Sequence, residues 1–277
     1  TAAAGDVNLT YMERQSTDID NKESILLLHG FSANKDNWIR FTKALDEKYH
    51  VIAVDLAGHG DSEKLLTTDY DLIKQAERLD TLVTGLGIQQ FHIAGNSMGG
   101  AISAIYSLKH PDKVKSLTLI DAAGVDGKQP SEFYQALAKG SNPLIAKDEE
   151  SFEYRMNFTM SQPPILPWPL RPALFRQTMA RADINEKIFS DMLVTKQRLI
   201  DNNFHASIQT TVAEHQLPTL IMWGKEDRVL DVSAVAEFKQ LIPNASVHIF
   251  DGVGHLPMVE IPNESAAVYQ QFLSTIE

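Results

Sequence analysis

Between the apolar run Phe91-His92-Ile93-Ala94 and the helix-forming run Ala101-Ile102-Ser103-Ala104-Ile105-Tyr106 lies Gly95-Asn96-Ser97-Met98-Gly99-Gly100. A strand, a Gly-x-Ser-x-Gly turn and a helix in that order admit few chain paths. The turn is so sharp that strand and helix nearly touch, and only residues without a Cβ fit at the crossing. The serine is held in a strained backbone conformation. Such a turn lifts the Ser97 hydroxyl above the edge of a sheet and aims a helix N-terminus at it. Backbone N–H groups there can stabilise negative charge forming on a nearby oxygen. A short glycine pattern can equally be a tight connection, so the rest of the chain has to supply what a nucleophilic serine needs.

The flanking sequence predicts the sheet. Val7 to Met12 alternates apolar and polar residues and reads as an edge strand. The polar stretch Gln15 to Glu23 turns the chain into Ile25-Leu26-Leu27-Leu28, a continuous apolar run of the kind covered on both faces. Further strands are expected at Val51–Val54, Phe91–Ala94, Val114–Ile120, Thr219–Trp223 and Val247–Phe250. Helical patterns lie at Trp38–Leu45, at Gln75–Leu86, before Leu241 and from Asn263 to about Ile276. Strands alternating with helices at this spacing predict an α/β fold, a mostly parallel central sheet with helices on both faces.

From about Val125 to about Leu217 this rhythm stops and helices broken by loops replace it. The expected organisation is therefore a core of residues 1–124 and 218–277 with a helical cap insertion at 125–217. Near its middle, Pro163-Pro164-Ile165-Leu166-Pro167-Trp168-Pro169-Leu170-Arg171-Pro172 forbids a continuous helix yet is rich in bulky apolar groups. It reads either as a lid facing a pocket or as a proline-stiffened surface connection.

A serine hydroxyl is a poor nucleophile at neutral pH, so it needs a base, and the base needs an orienting acid. In sheets of this kind ligands bind beyond the carboxyl ends of the strands, where His29, Asp55, Ser97 and Asp121 fall. Of nine histidines, His255 sits in a glycine-flanked loop after the last strand, on the edge that carries Ser97. His92 and His248 lie inside strand patterns, and His59 suits a structural role in its loop. Asp227, four positions past the penultimate strand, is the expected partner of His255, and Asp121 is a rival acid. Two backbone amides are expected to hold an oxyanion, those of Met98 and Phe31.

The chain has no cysteine, which excludes disulfides, thiolate metal sites and a thiol nucleophile. A formal net charge of −11 argues against a nucleic-acid partner and against electrostatic adsorption to anionic lipid. No run of about eighteen apolar residues marks a transmembrane segment. No metal and no organic cofactor is called for. The chain opens on Thr1 rather than methionine, which leaves room for a leader or anchor removed before this numbering. The location read from this is exported or membrane-associated, with cytoplasmic as the alternative.

His29-Gly30-Phe31, Asp55-x-x-Gly58-His59-Gly60-x-Ser62, the Ser97 turn, Trp223-Gly224-x-x-Asp227 and Gly254-His255 together resemble the α/β-hydrolase family over essentially the whole chain. The stretches after His29 and around Trp223 look like its monoacylglycerol lipase and bacterial lipase/esterase branch. That resemblance implies a cap between the sixth and seventh strands and carboxylic-ester substrates, with peripheral membrane contact through the cap. It assigns Ser97, Asp227 and His255 as catalytic and Phe31 and Met98 as oxyanion donors. Gly30, Leu166, Trp168, Phe175 and Leu256 are expected to bind substrate. Ile165, Leu170 and Leu174 would extend the same apolar wall, or all the cap residues would form the cap's own core. The turn is similar in carbon–carbon bond hydrolases of the meta-cleavage type, which remain the alternative. A non-catalytic binding module of the same fold is a third reading.

Overall fold

The computed structural model describes residues 1–18 and 23–276, so the middle of the turn expected over Gln15–Glu23 lies outside the described residues. Eight strands form the sheet: β1 (Ala2–Ala4), β2 (Val7–Arg14), β3 (Ser24–Leu28), β4 (His50–Asp55), β5 (Phe91–Asn96), β6 (Val114–Ile120), β7 (Thr219–Gly224) and β8 (Ser246–Phe250). Their order across the sheet is β1-β2-β4-β3-β5-β6-β7-β8. β1, β2 and β4 pair antiparallel in succession, and every other neighbouring pair is parallel.

The central runs are apolar throughout because both faces are covered. Leu26 and Leu28 of β3 point into one cluster with Ile52, Val54 and Ile93. Ile25 and Leu27 point into the other, with Val51, Ala53 and Ala94. The first cluster is closed by α2 (Leu72–Gly85) and α3 (Met98–Lys109), and the second by α1 (Ile39–Ala44) and α11 (Pro262–Leu273), the latter entered through the short α10 (Pro257–Glu260).

One boundary expectation is corrected. Val7–Arg14 is not the edge strand, because Ala2–Ala4 pairs outside it, with Ala2 opposite Leu9. Alanine is a weak strand former, so this strand is made by its partner rather than by local preference.

Between β6 and β7 the chain holds α4 (Glu132–Ala138), α5 (Glu149–Thr159), α6 (Leu170–Met179), α7 (Ala182–Asp201) and α8 (Phe204–Glu214), and no strand among the described residues. These helices build no separate core: Phe133, Ile184, Ile188, Phe204, Ile208 and Val212 join the same apolar cluster as α2 and α3. α8 packs on α3 and on α9 (Ala234–Leu241). The segment is thus mounted over the sheet face from whose edge Ser97 emerges.

Candidate active site

Ser97 links β5 to α3 with φ 54° and ψ −119°, a left-handed backbone that an L-residue rarely adopts. Neighbouring contacts enforce it. A Cβ on Gly95 would lie 2.2 Å from the Gly99 carbonyl oxygen, and one on Gly99 2.4 Å from that of Leu28. Ser97 N donates to Ile120 O at 3.0 Å, and Ser97 O accepts from the amides of Gly100 and Ala123. Met98 opens α3, so its amide belongs to the first turn, where helix N–H groups lack intrahelical partners.

The loop after β8 carries His255 to the same place. His255 Nδ1 lies 2.7 Å from Asp227 Oδ2, and both residues are buried. The other oxygen of Asp227 accepts from the amides of Val229 and Leu230 at 2.7 and 3.0 Å. That carboxylate is therefore fixed, and the hydrogen bond to it sets the tautomer that leaves Nε2 free as an acceptor. Asn96, next to Ser97, donates from Nδ2 to His255 O at 3.0 Å and to Ile120 O at 3.2 Å. The two loops are thus tied directly to each other.

Two contacts that the sequence did not disclose hold this geometry. Glu260 accepts from Gly254 N at 3.0 Å through Oε1, and from Ser161 N and Gln162 N at 2.9 and 2.8 Å through Oε2. It fastens the His255 loop to the chain leaving α5. Ser32, at φ 58°, has every polar group engaged. Its N donates to His59 Nε2 at 3.3 Å, its hydroxyl accepts from Asn185 at 3.0 Å, and its carbonyl accepts from Arg155 at 2.8 Å. Arg155 and Asn185 come from α5 and α7, so the segment after β6 grips the residue next to Phe31. Nothing in the one-dimensional pattern marks a glutamate in a short helix, or an arginine inside α5, as a clamp.

Asp121 ends β6, fully buried at φ 43°. Its Oδ1 accepts from Gly224 N at 2.8 Å, while Oδ2 has no partner other than the neighbouring carboxylate of Asp227. Burial, and then the charge of Asp227, push the Asp121 carboxyl well above the usual carboxylate range. The raised value favours the protonated form of Asp121, which can donate to the Asp227 carboxylate. Asp55, at the end of β4, accepts instead from Lys35 N and Nζ and from Asp61 N, which anchors its loop. His29 and His59 are buried and neutral, with burial holding His29 down to about 4 and His59 also well below its ordinary value.

Among the described residues, Asp121, Asp227 and His255 form the group close enough to hold a metal, their ligand atoms lying within 4.8 Å of one another. Each carboxylate already accepts backbone N–H bonds and the imidazole Nδ1 is used by Asp227, so the donor set fits a hydrogen-bonded relay better than a cation cage.

Ser97 opens into an apolar cavity of about 440 Å³, walled by Phe31, Phe133, Leu137, Phe189, Met192 and Leu199 among others. Gly30 is buried against Ser97, where an added Cβ would meet the serine Cβ at 3.0 Å. The rest of the expected substrate wall lies elsewhere. Trp168 is 84% exposed, Phe175 packs edge-on against Phe152, and Leu256 packs against the cluster of α1 and α11. Leu166, half-buried in the proline run, does not line the cavity either. The prolines keep that run out of a helix, and the cavity wall comes instead from α4, α7 and α8.

A family model described as the alpha/beta hydrolase fold matches residues 23–262. Lipase 1 of Psychrobacter immobilis is 35% identical over 100% of this chain and 84% of its own length. Monoacylglycerol lipase abhd6-B of Xenopus laevis is 31% identical over 93% of this chain and 77% of its own. The crystal structure of a membrane phospholipase A, described as a bacterial virulence factor, superposes with a TM-score of 0.90 at 40% identity, covering 99% of this chain and 85% of the other. A meta-cleavage product hydrolase from Pseudomonas fluorescens, with 99% of this chain and 97% of the other covered, reaches 0.79 at 22% identity, a likeness of fold alone. The chain belongs to the α/β-hydrolase fold family, within the branch that holds the bacterial lipases and the monoacylglycerol lipases.

Proposed function

We propose that the protein hydrolyses carboxylic esters of lipid-like monoesters, monoacylglycerols or close analogues, through an acyl-enzyme on Ser97. His255 Nε2 takes the Ser97 proton as Oγ attacks the ester carbonyl, and the Phe31 and Met98 amides hold the tetrahedral oxyanion. The protonated His255 is stabilised by Asp227 and gives its proton to the leaving alcohol. Water, activated by the same imidazole, then releases the acid and restores the serine. Residues 125–217 act as the cap, and the acyl chain occupies the cavity of about 440 Å³ beneath it. Peripheral contact of the cap with a lipid surface belongs to this reading.

The observation that carries it is the 2.7 Å His255–Asp227 bond beside a serine in a left-handed turn, at the mouth of an apolar cavity. The test is hydrolysis of a chain-length series of esters, monoacylglycerols included, by the protein and by Ser97→Ala. Turnover by the parent that collapses in the variant is expected, with monoesters preferred over emulsified triacylglycerol. A parent inactive on every ester overturns the reading, and equal activity on triacylglycerol overturns the preference.

A further inference from the structure

Two guanidinium groups lie in the segment after β6 without an acid of their own. Arg155, in α5, donates from Nη2 to Ser32 O at 2.8 Å and makes no ion pair among the described residues. Arg181, the residue that precedes α7, has Nε and Nη2 both shut off from solvent and without a partner. Asn185 stands one helical turn further on, its N donating to Arg181 O at 2.9 Å, and is 2% exposed. Its Nδ2 donates to Ser32 Oγ, while its Oδ1 is a further buried atom without a partner. Ser32 Oγ can donate as well as accept, so the amide can turn either its oxygen or its NH2 toward the unbonded side.

The charges around these atoms do not balance. Asp55 and Asp61 are the acids whose charge reaches Arg181, and both are already paired with Lys35. The charge that reaches Arg155 is that of Arg181. Burial, and then this like charge, draw the Arg155 guanidinium down to about 10. Lys64 Nζ, also within reach of Arg181, donates only to Ser62 O among the described residues. Lys35, Lys64, Arg155 and Arg181 thus outnumber Asp36, Asp55 and Asp61, in a chain whose net charge is −11. A buried guanidinium left unpaired is far more costly than one that meets an anion. Water can bond the free nitrogens but leaves the surplus charge in place.

We infer that Arg155, Arg181 and Asn185 bind a phosphate group, which fastens α5 and α7 to the loop that carries Phe31. The class of ligand follows from the donors. A carboxylate has oxygens for one guanidinium edge. A phosphate has oxygens for the Nε–Nη2 edge of Arg181, for Arg155 and for the Asn185 amide at once. Its double charge also suits two neighbouring cations. Inorganic phosphate and a phosphate monoester present the same oxygens, and the test separates them. None of the three residues lines the cavity at Ser97, so this is a second site.

Binding is measured by isothermal titration calorimetry at constant ionic strength, with inorganic phosphate, glycerophosphate and acetate as probes. Saturable binding of inorganic phosphate is expected, with acetate weaker by about tenfold or more. Glycerophosphate bound as well as the free ion supports a site open to monoesters, and its exclusion supports one closed around the free ion. Saturating phosphate is expected to raise the thermal midpoint by about 2–4 °C and to slow hydrogen exchange of the amides around Ser32 and Asn185. Arg181→Met keeps the aliphatic stem and removes the charge. It is expected to lose this response and, without phosphate, to be at least as stable as the parent, because an unpaired buried charge is gone. Arg181→Lys, with the charge but not the fork, is expected to bind with an affinity between the two. No saturable phosphate binding by the parent, or equal binding by Arg181→Met, overturns the proposal. Unchanged exchange around Ser32 overturns the fastening. An Arg181→Met midpoint well below the parent's in phosphate-free buffer also overturns the proposal, since the protein alone would then satisfy the arginine. No ester enters these measurements, so they stand apart from the test of hydrolysis.

Discussion

The carboxyl groups of Asp121 and Asp227 face each other beneath His255, one held by the Gly224 amide and the other by the amides of Val229 and Leu230. Burial and the neighbouring Asp227 charge push the Asp121 carboxyl well above the usual carboxylate range, which favours its protonated form in the folded state. In the unfolded chain it would release that proton near its ordinary value of 3.8. The native state therefore binds the extra proton, and stability is lost as pH rises from about 4 through the raised native value. Asp121→Asn supplies a permanent donor in the same shape. Its thermal midpoint is expected to exceed the parent's increasingly as pH goes from 4 to 8, by about 2–4 °C for each kcal/mol relieved. Parallel midpoint curves for parent and variant would show that Asp121 is not the protonated partner.

Asp227→Asn presents an amide where His255 needs an acceptor and turns the imidazole toward the wrong tautomer. A loss in kcat of about 10⁴-fold is expected, with folding little altered. A loss below about tenfold, in steady-state kinetics on the best ester, would pass the orienting role to Asp121.

Glu260 is a positioning residue, since its carboxylate touches only the amides of the two segments it joins. Glu260→Gln turns at least one amide donor against another and leaves a bond unmade, a cost of about 1–3 kcal/mol. The thermal midpoint should drop by several degrees. For a short ester kcat should fall while KM stays close to the parent's, because the His255 loop and not the acyl cavity is loosened. A rise in KM alone would place Glu260 with the substrate wall.

Acid weakens the fold through two rings that refuse a proton. His29 titrates near 4 when folded but near 6.5 when free, so its contribution is full above about 6.5 and declines as pH falls from there to about 4. His59 acts in the same direction. Asp121 works in the opposite direction over the same window, so the readout is the difference between proteins: denaturant midpoints at pH 7, 6, 5 and 4.5 are expected to fall less with acid in His29→Gln than in the parent. Identical pH dependence in the parent and His29→Gln would contradict the neutral, buried state of His29.

Much of this was legible beforehand because it rests on short-range demands. The elbow around Ser97 can be read because its glycines answer a steric requirement, and β3 because a strand covered on both faces has no polar positions. The positions of His255 and Asp227 follow from which loops leave the carboxyl ends of strands. Ala2–Ala4 was invisible, since its strand character comes from pairing with Val7–Leu9 and not from alanine. Phe189, Met192 and Leu199 were missed as wall residues because an amphipathic helix lining a cavity and one lining a core share the same period. Trp168 has the bulk of a pocket residue, but bulk says nothing about which way a proline-locked segment faces.

Ser32 sets a limit on rebuilding this enzyme. Three side chains from three other segments, His59, Arg155 and Asn185, occupy all of its polar groups. The helices between β6 and β7 are therefore not an interchangeable module. Exchanging them for those of a relative, as one would to transplant specificity, would strip two of the three supports from the loop that carries Phe31. A chimera would inherit the new cavity and lose the old geometry of the Phe31 loop, unless residues 29–35 and the partners of Ser32 travel together.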